Sequence, residues 1–251
     1  MDVNKNTYTF VFASILVIVL AAVLSFLSVK LSPKQEANIV KEKKQNILKS
    51  VGIHTSRDTA DFLYNQYIKE EIVLDHNGNI MTGKAFEINL KLEMKKDLKD
   101  QNLPIFLASI ENDRECYIIP LRGKGLWGPI WGYIALENDF KTVFGAVFDH
   151  KSETPGLGAE INTREFQDPF QNKLIFKDKD FVSIKVVKGG AKSGDDHGVD
   201  AISGGTITSD GVTEMLYERL ERYLPYFTRM INAQKEENND TLSLQLDSIQ
   251  I

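Results

Sequence analysis

Residues 200–208 bring three hydroxyl side chains and a pair of glycines together directly before a stretch with helical spacing. Their order is Asp-Ala-Ile-Ser-Gly-Gly-Thr-Ile-Thr, and we predict that Thr208 or Ser209 caps the following helix. Thr206 then lies just before a helix N-terminus, where free N–H groups and the helix dipole favour a phosphate. Gly204 and Gly205 permit close approach of such a group. A phosphate-binding turn is one interpretation, and a structural glycine turn before a capped helix is the other.

Residues 153–158, Glu-Thr-Pro-Gly-Leu-Gly, have the composition of a tight loop that can line a cofactor pocket. Proline and glycine fix such a loop, so that its backbone can face a bound ring. Leu157 can then pack on the ring, and Thr154 can hydrogen-bond its polar edge. Trp127 can stack on the same ring, although packing in the core or against a partner explains this tryptophan equally well.

The titratable side chains do not have the spacing of a metal site, and we predict none. Cys116 is the only cysteine, which excludes an internal disulfide and every Cys-x-x-Cys site in this chain. Its strand-like neighbours predict a buried thiol. His150 lacks a second ligand at suitable spacing, so we interpret it as a structural loop residue. The run Asp-Asp-His at 195–197 is typical of a solvated turn.

The chain has 251 residues and a formal net charge of -5. This length suits one membrane anchor and one domain of roughly 200 residues. The acidic balance gives no basic surface of the kind that nucleic-acid binding requires, so we expect no nucleic-acid partner.

An apolar stretch without charged residues extends from Asn6 to Val29. At about 1.5 Å per residue, a helix of this length crosses a hydrocarbon core of roughly 30 Å, which predicts a single transmembrane span. A cleaved signal peptide is the alternative, but the apolar run is too long for one. A lone span without ionisable side chains cannot form an ion path. Lysines are more frequent after the span than before it, and lysine counting places the large domain in the cytoplasm.

The rest of the chain predicts an α+β domain with a mostly antiparallel sheet and flanking helices. We predict four segments, which are an anchor at 1–33, a stalk helix or linker at 34–57, the domain at 58–232 and a loosely ordered tail at 233–251. Apolar residues from Val212 to Met230 predict a long amphipathic helix bent at Pro225. The other predicted elements are helices at 35–51, 58–72 and 163–173, a hairpin at Asn77-Gly78, and strands at 86–94, 105–110, 116–121, 131–136, 143–148 and 181–187.

Residues 200–208 resemble the flavinylation motif of the FMN-binding domain family, Asp-x-x-Ser/Thr-Gly-Ala-Thr-x-Ser/Thr. In that motif the threonine after the alanine carries FMN through its phosphate, and this threonine matches Thr206. Gly205 departs from the usual alanine. Residues 123–133 and 150–160 resemble the C subunits of the sodium-pumping NADH:quinone oxidoreductases. The G subunits of Rnf complexes share Glu-Thr-Pro-Gly-Leu-Gly and the threonine motif, but the run Gly-Leu-Trp favours the former.

The resemblance implies FMN in a phosphoester bond to Thr206, made from FAD by a separate flavin transferase that uses magnesium. It implies an electron relay between NADH and quinone, which both react at other subunits, and sodium export by those partner subunits. It also implies a bacterial inner membrane protein whose large domain is periplasmic, against the lysine count. The chain would be an enzyme only as a subunit of a redox-driven translocase. The implied FMN-binding residues are Thr206, Asp200, Ser203, Gly204, Gly205, Thr208, Glu153, Thr154, Gly156, Leu157, Gly158 and Trp127.

Two alternatives remain from the sequence. The first is an Rnf-type electron relay with ferredoxin as the donor to the complex. The second is a membrane-tethered binding module in which the flavin motif is unused, and the departure at Gly205 is its only support.

Overall fold

The computed structural model describes residues 6–111 and 114–249, with side chains described as far as Glu236. The chain divides into two compact units, of which the first ends at Lys44 and the second begins at Gln45. The boundary predicted between residues 57 and 58 differs from this one. The reason is that Ile47 and Leu48 are fully buried in the core of the second unit.

Helix α1, Asn6–Ser50, is a single helix that contains Pro33. An 18-residue window within it has a mean hydropathy of 3.0 and no buried residue, so α1 is long and apolar enough to cross a membrane. The anchor and the stalk helix predicted separately are therefore parts of one helix. Gly52 follows the end of α1 with a φ of +78°, a conformation that favours glycine.

Six strands form the main sheet of the second unit. Their order across the sheet is 2-1-3-4-5-6 in chain numbering, and every neighbouring pair is antiparallel. This arrangement confirms the predicted fold class, the hairpin at Asn77-Gly78 and the four strands predicted between Pro104 and His150. The strands are β1 (Ile68–Leu74), β2 (Ile80–Met81), β3 (Leu103–Ser109), β4 (Glu115–Lys124), β5 (Pro129–Glu137) and β6 (Val143–His150).

Shorter elements and two long helices complete the second unit. These elements are α2 (Ala60–Tyr67), α3 (Leu90–Glu93), α4 (Arg164–Gln167), β7 (Phe176–Lys177), β8 (Asp180–Phe181), β9 (Lys185–Val187), β10 (Gly198–Asp200), α5 (Thr206–Glu221) and α6 (Leu224–Ile249). The predicted strand at 181–187 is divided between β8 and β9, which belong to separate two-stranded sheets.

Both faces of the main sheet are buried, which explains why β4 is apolar at consecutive positions. Tyr117 and Ile119 of β4 belong to a core cluster that includes apolar residues of α5 and α6. Cys116 and Ile118 belong to a second cluster, which includes residues of α2 and the end of α1. The main sheet is therefore the middle layer of the second unit.

Two predicted elements are wrong in part or whole. The helix predicted at 58–72 ends at Tyr67, because the following residues pair with β3 as strand β1. The strand predicted at 86–94 is replaced by a 3-10 turn and α3. The side chain of Asn89 starts α3 by accepting the Lys91 N–H, a local hydrogen bond that outweighs the alternating apolar pattern.

The C-terminal part is helical over a longer range than predicted. The long helix predicted after residue 208 is broken between α5 and α6, so that Pro225 lies in the first turn of α6, where its missing N–H costs nothing. The tail predicted as loosely ordered, 233–251, continues α6 as far as Ile249, and residues 250 and 251 lie outside the described residues.

The buried thiol of Cys116 should not react with maleimide in the folded protein. Its side chain is fully buried on β4, and burial together with Glu137 raises the pKa of the thiol to about 12. Almost no thiolate, the reactive form, is therefore present at neutral pH. We expect labelling only after unfolding in guanidinium chloride, measured by intact-protein mass spectrometry. Rapid labelling without denaturant would contradict the buried position.

Candidate functional site

Helix α5 begins at Thr206 and has no side-chain cap. Gly205 is the N-cap residue, with a φ of -101° and a ψ of +31°, and the first turn contains no acidic residue. The prediction that Thr208 or Ser209 caps this helix is therefore wrong, since both lie inside its first turns and are buried. The first N–H groups of a helix have no partners within the helix. This N-terminus thus keeps its positive potential and its donors available to an anion.

The turn before α5 is formed by local hydrogen bonds. The N–H of Gly205 donates to the Ile202 carbonyl at 3.0 Å, and the N–H of Ile202 donates to Ser209 Oγ at 3.2 Å. Gly204 has a φ of +73°, a conformation that L side chains rarely adopt. The helix that follows packs closely on β4, because an added Cβ at Gly211 would collide with the Lys124 carbonyl oxygen.

Residues 153–158 form a tight loop after β6, as their composition predicts. The Thr154 carbonyl accepts the N–H groups of Leu157 and Ala159, each at 3.1 Å. Gly156 has a φ of +74°, and its N–H donates to Glu160 Oε1 at 2.8 Å. The loop is therefore fixed by its own hydrogen bonds.

The 153–158 loop lies directly against the start of α5, although the two segments are about 50 residues apart in sequence. An added Cβ at Gly204 would be 2.6 Å from Leu157 Cδ2, and one at Gly205 would be 3.3 Å from the Gly158 nitrogen. An added Cβ at Gly158 would collide with Thr208 Oγ1. The glycines of the two segments thus let the loop and the turn approach closely, and the approach is tightest between Gly158 and Thr208.

The Glu153 carboxylate joins these segments to a third one. Only 5% of Glu153 is exposed. Its Oε2 accepts the Thr208 hydroxyl at 2.6 Å, and its Oε1 accepts the backbone N–H of Trp127 at 2.9 Å. The N–H of Glu153 donates to His150 Nδ1 at 3.1 Å, which gives His150 the structural role that the sequence predicted.

Trp127 lies in the turn between β4 and β5, which is closed by the Gly125 N–H and the Gly128 carbonyl. Its side chain is 67% exposed. Leu157 and Ile207, on the two segments described above, are also exposed, at 40% and 57%. Exposed apolar side chains therefore lie on all three segments that Glu153 joins, and Thr206, next to Ile207, is partly exposed. Exposed apolar patches commonly mark binding sites.

Comparisons with known proteins give the family. The model of the FMN-binding domain matches residues 125–221, which include all three segments of the site. The C subunit of the Na(+)-translocating NADH-quinone reductase of Vibrio anguillarum is 33% identical over 227 residues, which cover 84% of this chain and 88% of that protein. The chain belongs to this family of C subunits.

Two crystal structures of C subunits have the same fold. The C subunit of the Na(+)-translocating NADH-quinone reductase from Parabacteroides distasonis superposes with a TM-score of 0.72 and 41% identity, over 79% of this chain and 97% of that one. NqrC of Shewanella oneidensis gives a TM-score of 0.67 and 25% identity, over 77% and 98%. A single apolar N-terminal helix followed by an α+β domain is thus the architecture of this family member.

The structure brings most of the predicted site residues of this family member together. Gly204, Gly205 and Thr208 lie against Leu157, Gly158 and Glu153, and the Trp127 backbone joins them. Thr206 lies between Gly205 and Thr208 in the chain. Ser203 is exposed in the same turn.

Three predicted residues have other contacts. Asp200 is exposed, and its Oδ1 accepts the Ala191 N–H at 2.7 Å, so it holds the 190–191 turn. The side chain of Thr154 is exposed while its carbonyl closes the loop. Gly156 is exposed at the outer end of the loop. These residues shape the segments that surround Thr206.

Sequence reasoning did not predict the roles of Gly125 and Ile207, and it offered Ser209 only as a helix cap. Ser209 fixes the turn through Ile202, and an added Cβ at Gly125 would be 2.6 Å from Glu153 Oε1. The Gly-x-Gly-Leu-Trp run was the available signal for Gly125. Nothing in the helical pattern distinguished Ile207 from an ordinary exposed residue.

The residues present fit FMN. The uncapped start of α5 and the glycine turn suit a phosphate, and the exposed apolar side chains of Leu157, Ile207 and Trp127 suit an aromatic ring. Within residues 6–111 and 114–249, no group of three or more His, Cys, Asp or Glu side chains is placed to hold a metal ion.

Proposed function

We propose that this chain carries FMN in a phosphoester bond to Thr206 and relays electrons within a Na+-translocating NADH-quinone reductase. The observation that carries this proposal is the position of Thr206. Thr206 is partly exposed and is the first residue of an uncapped helix, and its neighbours Gly205 and Thr208 lie against the 153–158 loop, where Leu157 is exposed. The matching FMN-binding domain and the family of C subunits support the same function.

The surroundings of the two threonines in the motif favour Thr206 as the attachment site. Thr208 is only 1% exposed, and its hydroxyl donates to the buried Glu153 carboxylate. An incoming enzyme cannot reach that hydroxyl without opening the site. Thr206 precedes it by two residues and is partly exposed, so its hydroxyl is accessible at the positive end of α5.

The proposed attachment needs FAD and a separate flavin transferase with magnesium. Thr206 Oγ forms a bond to the phosphorus of the FMN half of FAD, and the bond from that phosphorus to the bridging pyrophosphate oxygen breaks. AMP leaves with the bridging oxygen, and the threonine proton goes to a base or to water. The N–H groups at the start of α5 stabilise the negative charge of the resulting phosphodiester.

The bound flavin supplies one- and two-electron redox chemistry, and the protein supplies its position and electrostatic environment. Leu157 and Ile207 provide apolar surface beside the attachment point, and Trp127 can stack against the ring. Because these side chains are 40–67% exposed, the site is open to solvent. A covalent bond prevents loss of the cofactor from such a site.

The family and α1 support a proposal for the place of the chain in its complex. We propose that α1 anchors the protein in the bacterial inner membrane, with the domain on the periplasmic side. NADH and quinone react at other subunits, so this chain alone does not oxidise NADH. The uncharged stretch from Asn6 to Val29 offers no ion path, and sodium export belongs to partner subunits. The identity of 33% across 88% of a family member from this complex favours it over the Rnf type.

Fluorescence of the denatured protein tests the proposed function. We expect that co-expression with a flavin transferase gives a band that fluoresces under ultraviolet light after denaturing electrophoresis, since only covalent flavin survives denaturation. Expression without the transferase is the control and should give a dark band. A dark band in both lanes, with active transferase confirmed on a second substrate protein, would contradict the proposal.

A further inference from the structure

The Glu153 carboxylate is the point where three separate segments of the site meet. These segments are the β4–β5 turn at Trp127, the 153–158 loop itself and the first turns of α5 at Thr208. The hydrogen bonds join residues that are 26 and 55 positions apart in sequence. One carboxylate oxygen accepts from the Trp127 turn and the other from α5, so the length of this one side chain sets the distance between those two segments.

Backbone lies close to both oxygens of the Glu153 carboxylate. An added Cβ at Gly125 would be 2.6 Å from Oε1, and one at Gly158 would be 2.6 Å from Oε2. Two glycines thus let the backbone approach both oxygens of a residue that is only 5% exposed. Both oxygens act as acceptors, which is the pattern of an ionised carboxylate. No Lys or Arg side chain within the described residues forms an ion pair with it.

We propose that Glu153 is the positioning residue of the flavin site, which it serves without touching the cofactor. Its carboxylate fixes the position of the Trp127 turn relative to the start of α5. Its negative charge lowers the reduction potential of the flavin. The electrostatic half of this inference, the effect on the flavin potential, rests on the proposed function. The geometric half, the positions of the joined segments, concerns only the chain. The resemblance implies instead that Glu153 is a cofactor-binding residue.

The two halves of the proposal predict different effects for two substitutions. In Glu153→Gln the amide oxygen can accept the Trp127 N–H, and the amide nitrogen can donate to Thr208 Oγ1, so that the geometry survives without the charge. In Glu153→Asp the charge survives, but the shorter side chain cannot reach both partners. Glu165→Gln is the matched control, because it removes the same charge from an exposed position on α4.

Amide hydrogen exchange measures the geometric half on the full-length protein in detergent, without flavin. We expect faster exchange in the peptide that contains the Trp127 N–H for Glu153→Asp, and exchange close to that of the unsubstituted protein for Glu153→Gln. If Glu153→Asp does not fold, Thr208→Val is compared with Thr208→Ser instead. Thr208→Val removes the hydroxyl that donates to Glu153, whereas Thr208→Ser keeps it. Unchanged exchange in Glu153→Asp, or in Thr208→Val where that pair is used, overturns the positioning role.

The midpoint potential of the flavin measures the electrostatic half on the loaded protein. We expect Glu153→Gln to raise the potential, since removal of a buried negative charge favours addition of an electron, and Glu165→Gln to change it far less. Equal potentials for Glu153→Gln and the unsubstituted protein overturn this half. A dark unsubstituted protein on the denaturing gel would instead refute the proposed function, and the exchange experiment would still test the geometry.

Discussion

Thr206→Val should remove all covalent flavin from the protein while leaving its fold intact. Valine has the shape of threonine without the hydroxyl, and Thr206 is a partly exposed residue at the first position of α5. Such a substitution away from the core usually changes the free energy of unfolding by no more than about 0.5 kcal/mol. We expect a dark band after co-expression with the transferase and a thermal unfolding curve like that of the unsubstituted protein.

Two serine variants are the controls for this loss. Thr206→Ser keeps a hydroxyl at the attachment position and should retain fluorescence. Thr208→Ser keeps the hydrogen bond to Glu153 and should retain it as well. Thr208→Val is a poorer control, because it leaves an acceptor oxygen of a buried carboxylate without its donor. A fluorescent Thr206→Val protein would contradict the assignment of the attachment site.

Gly158→Ala should both destabilise the domain and reduce flavin attachment. The added methyl group would collide with Thr208 Oγ1 and lie 2.6 Å from Glu153 Oε2, and both atoms belong to the hydrogen bond that joins the loop to α5. Overpacking of this kind costs about 1–3 kcal/mol. We expect a lower urea midpoint and a reduced yield of fluorescent protein, because the displaced loop no longer lies against the start of α5.

Gly156→Ala is the control that distinguishes a collision between the loop and α5 from backbone strain within the loop. It introduces the same methyl group in the same loop, where nothing lies within 4 Å, but at a φ of +74°. Strain at such a position costs roughly 1–2 kcal/mol and leaves the contact between the loop and α5 untouched. We therefore expect Gly156→Ala to lose stability and keep its fluorescence. Equal flavin yields for Gly158→Ala and Gly156→Ala would show that close contact at Gly158 is not needed.

The pattern of apolar residues predicted the strands that are buried on both faces of the main sheet. The strands between Pro104 and His150 are found because their apolar runs are long and bounded by turn residues. The strand predicted at 86–94 failed because a single hydrogen bond to Asn89 started α3 instead. The end of the helix predicted at 58–72 failed because pairing with β3 is a tertiary contact, which a local pattern does not reveal.

The sequence predicted which residue types form the site, but not which of these residues contact one another. The residues around Thr206 and the 153–158 loop are recognisable by their composition, and the resemblance assigns both to one FMN site. The start of α5 was placed too late, since Gly205 ends the preceding turn without a side-chain cap, whereas the prediction relied on a hydroxyl. The role of Glu153 depends on contacts with Trp127 and Thr208, far away in sequence, and only the folded chain reveals it.

Peptide mapping by mass spectrometry tests the attachment of FMN to Thr206 most directly. Trypsin should release residues 193–219 as one peptide, which contains Thr206, Thr208 and Thr213. After co-expression with the transferase, we expect this peptide to gain the mass of FMN less one water, with fragment ions that place the gain on Thr206. An unmodified peptide, or a gain placed on Thr208 or on another residue, would contradict the account.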